Sequence, residues 1–186
     1  MTKTNCGTEL MSEGCRSYHK ALFAVMQFRK QVQAVIRTAV DDHASYLVAA
    51  LALGESELES GDYALPAQYQ AAFDGSEAEV GLRCTYENWE ISYYVWVGDE
   101  EDSFFGAMLW LKNPGSTIEK IANSGDEDLE VGDDYIQLYE YLPADGSVDL
   151  VATCNRVLRR WIDLWTKVGG LQQFLPKAKK KKTPVQ

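Results

Sequence analysis

The stretch WEISYYVWVGDEEDSFFGAMLWLKN, residues 89–113, constrains the fold more than any other part of the chain. Apolar residues recur with the two-residue period of β-strands on both sides of an acidic loop at residues 98–102. A five-residue loop pairs Val97 with Ser103, Val95 with Phe105, Tyr93 with Ala107 and Ile91 with Leu109. That register puts Trp89, Ile91, Tyr93, Val95, Phe105, Leu109 and Leu111 on one face, and Tyr94, Trp96, Phe104, Met108 and Trp110 on the other. An antiparallel hairpin with one wet face alternates apolar with polar residues. This one is apolar on both faces, so both must be covered. Either helices lie on both sides of the sheet, or the second, aromatic face meets something outside the chain. Tyr and Trp suit the second case, because they tolerate partial wetting and are enriched as interface anchors.

The rest of the chain supplies helices and two further strands. Residues 12–53 carry Tyr18, Leu22, Val25, Val32, Ile36, Val40, Leu47 and Leu51 at three- and four-residue spacing, with no proline. A single helix of that length would be about 60 Å long, so a break is expected near VDDHAS, where Asp41, Asp42 and Ser45 offer caps. Without a break, the helix points to an oligomer. GESELESGD reads as a loop, and PAQYQAAFD as a short helix opened by Pro66. EVGLRCTY forms a strand that joins Trp89 through Glu87 and Asn88, and YIQLYEYL forms another. The later strand adds Ile136, Leu138 and Leu142 to the aliphatic face and Tyr135, Tyr139 and Tyr141 to the aromatic one. Ser116 with Glu119 opens a short helix TIEKIAN, and SGDEDLEVGDD reads as an acidic loop. Ser147 is the expected cap of a final helix over 148–168, with Trp161 and Trp165 on its apolar face and Gly169–Gly170 as its stop. The fold class is therefore α+β: a mainly antiparallel sheet of about four strands packed with long N- and C-terminal helices. The expected organisation is a flexible N-terminus at 1–11, one domain at 12–175 and a disordered Lys-rich tail at 176–186.

Charge is unevenly distributed. Residues 55–145 hold 22 acidic and three basic residues, a net −19, whereas the rest of the chain carries 6 acidic and 15 basic, restoring the whole-chain −10. Such a field repels nucleic acid and draws cationic partners at low salt. No apolar run reaches the roughly 20 residues of a membrane span, and the first residues, MTKTNCGTELMSEGC, lack an apolar signal core. The four cysteines, Cys6, Cys15, Cys84 and Cys154, show no C-x-x-C spacing. Together these features give a cytoplasmic expectation with reduced thiols.

Catalytic signatures are weak. There is no glycine-rich phosphate loop, no G-x-S-x-G and no H-E-x-x-H. Cys6, Cys15 and His19 fall short of a zinc set for want of a fourth ligand. The acidic loop from Asp126 has Val131 where a calcium loop needs glycine and Gln137 where it needs glutamate. His43 in VDDHAS lies about 100° around a helix from Asp42, so it reads as a break or a core residue. No metal and no cofactor are expected. Element order and charge resemble the small acidic chaperones of bacterial secretion systems, with no motif in support.

The expected function is a non-catalytic acidic module of the immunity, antitoxin, chaperone or nucleic-acid-mimic type, engaging a basic protein through Tyr94, Trp96, Phe104 and the acidic tip Asp99, Glu100, Glu101 and Asp102. Nucleic acid is not an expected direct partner of the acidic domain, and a homo-dimer stays open. The alternatives are a hydrolase using sheet carboxylates and an aromatic pocket for a small cation.

Overall fold

The computed structural model describes residues 6–51, 60–63, 78–86, 88–98, 102–124, 129–143 and 147–174, with only the backbone for 6–11, 60–63, 78, 84–86, 124 and 172. The first helix, α1, runs Cys6–Asp42 and the next, α2, Ala44–Leu51. The expected break falls at His43. Its N–H is shared between the Ala39 and Val40 carbonyls at 3.3 and 3.2 Å, and its ring Nδ1 lies 2.9 Å from the Ala39 oxygen. The break still leaves 37 residues in α1, about 55 Å of helix. The helix also begins at Cys6, within the segment expected to be flexible.

The sheet comprises β1 (Ser60–Tyr63), β2 (Ala78–Tyr86), β3 (Trp89–Val97), β4 (Phe104–Leu111), β5 (Glu130–Val131) and β6 (Tyr135–Tyr141). Its order is β1-β2-β3-β4-β6-β5, and every pairing is antiparallel. The four long strands are those expected. The two short ones fall in segments expected to be loops, because neither carries an apolar alternation. Backbone pairing holds β1 to β2 (Ser60 opposite Cys84), and β5 to β6 (Glu130 opposite Gln137). The β3–β4 register is the expected one: Val95 faces Phe105, Tyr93 faces Ala107 and Ile91 faces Leu109. Where β2 meets β3, a Cβ on Gly81 would lie 2.1 Å from the Tyr93 carbonyl oxygen, so the strands approach too closely there for any other residue. The expected PAQYQAAFD helix and the lysine tail lie outside the described residues.

Two further α-helices are found among the described residues, α3 (Thr117–Ser124) and α4 (Leu150–Lys167), the latter followed by a 3-10 turn at Leu171–Gln173. Ser147 does not cap α4: helical geometry starts at Leu150, and the residue before it, Asp149, accepts the Ala152 N–H at 3.0 Å. The stop is as expected. Gly169 and Gly170 take φ of 80° and 96°, the Gly170 N–H reaches the Trp165 carbonyl at 2.8 Å, and the Gly169 N–H reaches that of Thr166 at 3.3 Å. These two bonds are the Schellman closure, which favours glycine.

All four helices contribute to one core, built on the aliphatic face. Val32, Ile36 and Ala39 of α1, Leu47 and Leu51 of α2, and Val157, Leu158, Trp161 and Trp165 of α4 meet Leu82, Ile91, Val95, Phe105, Leu109, Ile136 and Leu138 of the strands. Trp161 and Trp165 are both 0% exposed and meet edge-to-face, centroids 5.3 Å apart. Among the described residues, no side chain of the aromatic face joins this core cluster. Among the described residues, the arrangement is two-layered, with helices over one face of the sheet.

Candidate functional site: the aromatic sheet face

Strand register sets out the second face in rows. Glu79, Trp96, Phe104 and Tyr141 form the row nearest the β3–β4 loop, and Gly81, Tyr94, Gly106 and Tyr139 form the next. Phe104 is the hub. Trp96 stacks on it at 6.2 Å with rings 10° from parallel, Tyr139 leans on it at 5.0 Å, and Tyr94 and Tyr141 meet it edge-on at 5.9 and 6.3 Å. Tyr139 and Tyr141 also meet edge-on at 5.3 Å. A hydrogen bond with Tyr141, aided by desolvation, raises the pKa of Tyr139.

Tyr94 is the one fully buried aromatic in this group, 4% exposed. Its hydroxyl donates to Gln137 Oε1 at 2.9 Å. Tyr94 stands on β3 and Gln137 on β6, so the ring must cross β4, where its paired residue is Gly106. The missing side chain at Gly106 leaves that path open. Burial therefore comes from within the sheet surface. Trp96, Phe104, Tyr139 and Trp110 remain half-buried, and Tyr141 is 56% exposed.

A polar frame surrounds the rings. Arg83 Nε lies 3.1 Å from Glu90, which also accepts the Ser92 hydroxyl at 3.1 Å. Trp110 Nε1 donates to Asp134 at 2.7 Å, and Tyr135 donates to Glu130 at 2.8 Å. That last bond, more than burial, pushes the Tyr135 pKa up. On the opposite, helix-covered face, Glu140, paired with Phe105, accepts both Nε and a terminal nitrogen of Arg156, a residue of α4. Four carboxylates are thus engaged at separate places, Glu90 by Arg83 and Ser92, Asp134 by Trp110, Glu130 by Tyr135 and Glu140 by Arg156. They do not converge on a point. Among the described residues, no group of three His, Cys, Asp or Glu side chains is placed to hold a metal. Cys15 and His19 are exposed on α1, one turn apart, and the Cys6 side chain lies outside the description.

Of the expected site residues, Tyr94, Trp96 and Phe104 are brought together. Asp102 is exposed beside them in sequence, while Asp99, Glu100 and Glu101 lie outside the described residues. Gln137 and Asp134 were not expected. Gln137 sits at aromatic-face parity on β6, and a lone polar residue among tyrosines was the available signal. Nothing in the sequence links Asp134 to Trp110.

No family model, no curated protein and no solved structure matches this chain. No helix among the described residues is long and apolar enough to cross a membrane.

Proposed function

We propose that the chain is a non-catalytic acidic binding module whose aromatic sheet face engages a basic protein. One observation carries this: the helices pack on the aliphatic face, while Trp96, Phe104, Tyr139 and Tyr141 form a connected, partly exposed cluster on the other. Large ordered aromatics at a half-wet surface supply contact area at low conformational cost. The acidic block around them, net −19 over 55–145, favours a cationic partner and disfavours nucleic acid. Dispersed and individually paired carboxylates favour binding over hydrolysis, since acid–base catalysis needs two such groups facing one substrate.

The test uses a synthetic amphipathic peptide of alternating Lys and Leu, followed by tryptophan fluorescence. Saturable binding that weakens with salt, and that Trp96→Ala and Tyr141→Ala both reduce, supports the proposal. Binding that neither substitution alters places the surface elsewhere.

A further inference from the structure

We infer that the N-terminal half of α1 is a docking arm whose occupant is a second copy of this chain: each arm lies on the aromatic face of the other copy. This rests on that face being a protein-binding surface, as proposed above, and names its partner.

Among the described residues, the arm is the main run of exposed apolar side chains. Every described side chain from Ser12 to Phe28 is exposed, apart from a half-buried Leu22. Tyr18, Phe23, Val25, Met26 and Phe28 are 50, 63, 41, 40 and 45% exposed, half of the ten large exposed apolar residues described. An apolar concentration of this kind marks a contact surface. The 17 residues 12–28 extend about 25 Å.

The direction of the arm follows from periodicity. Tyr18, Leu22 and Val25 continue, at spacings of four and three, the stripe Arg29, Val32 and Ile36, which is buried in the part of the molecule where α1 packs on both β2 of the chain's own sheet and α4. The arm's apolar stripe therefore looks toward the plane of its own sheet, beyond that stripe's buried part. A two-fold axis lying in the sheet plane turns a second copy over. Its aromatic face then points to the side on which the first copy carries its helices, beneath the arm. The same rotation sets the second arm over the first aromatic face. The two contacts are equivalent and the assembly closes as a dimer.

Charge selects this arrangement over arm against arm. Residues 12–30 hold Glu13 against Arg16, Lys20, Arg29 and Lys30, a net +3, so paired arms would set like charges together. An arm on the face pairs that charge with the acidic block.

Sedimentation of the full chain tests this with three proteins: the wild type, an arm variant (Leu22→Ser with Val25→Ser) and a face variant (Trp96→Ala with Tyr141→Ala). The wild type should be a dimer that weakens in salt. Each variant alone should dissociate, with affinity lowered about tenfold or more, and an equimolar mixture should recover a heterodimer through its one intact arm and one intact face. Tyr141→Ala alone, at an exposed position, serves if the double face variant does not fold. A monomeric wild type overturns the inference, as does a face variant that stays dimeric or a mixture that recovers nothing. Titrating the arm variant, whose face is intact, with the Lys/Leu peptide reports on the basic-partner proposal separately.

Discussion

Individual residues divide into those that hold the fold and those that face outward, and substitution separates them. Trp161 is fully enclosed, so Trp161→Ala should cost about 3–5 kcal/mol by urea unfolding, the range for deleting a large aromatic from a packed core. Tyr141, mostly exposed, should cost under about 1 kcal/mol when changed to Ala. Cysteine chemistry offers a second contrast. Burial pushes the Cys154 thiol up to about 12, so it is protonated and shielded at pH 8. Cys15 is exposed. Iodoacetamide labelling of the native protein, mapped by peptide mass, should modify Cys15 and leave Cys154 intact until the chain is unfolded. Tyr135 and Tyr139 both have raised pKa values. Raised folded-state values leave stability unchanged below the ordinary tyrosine pKa of about 10 and erode it as pH climbs above that.

At the scale of elements, how much the sequence revealed depended on periodicity. The hairpin β3–β4 was legible to its register because Ile91, Tyr93 and Val95 alternate with Ser92, Tyr94 and Trp96 across a loop of fixed length. The last helix was legible from the Leu150–Val168 stripe, but its start was not. Ser147 and Asp149 are both good caps, and the choice between them is made by where the chain turns onto the sheet. Asp149→Ala should therefore cost about 1 kcal/mol, and Ser147→Ala little, in thermal melts. The strands β1 and β5 were illegible because cross-strand backbone bonds, not their side chains, define them. The aromatic cluster was half legible. Parity placed Tyr139 and Tyr141 beside Phe104, but the reach of Tyr94 over Gly106 to Gln137 depends on a strand two places across the sheet, with Gln137 43 residues away in sequence. Gly81 is a further element-level test: Gly81→Ala must push β2 off β3, which should destabilise by about 1–3 kcal/mol as overpacking does.

At the scale of the whole molecule, the described helices lie on one face of the sheet and a half-wet aromatic cluster on the other, the surface that the proposed function assigns to a partner. The sequence alone balanced this against a three-layer domain, because 46% hydrophobic content and two long helical regions satisfied either. The distinction lies in where α1 goes. Its buried side chains begin at Arg29, and those described before it are exposed apart from a half-buried Leu22. The most direct test is the unfolding free energy of Trp96→Ala, measured at low protein concentration and high salt so that association does not contribute. An open face predicts a folded variant that loses about 1 kcal/mol, the worth of a partly exposed cross-strand aromatic contact. A loss of about 3–5 kcal/mol, equal to that of Trp161→Ala, would make Trp96 a core residue and contradict the open face.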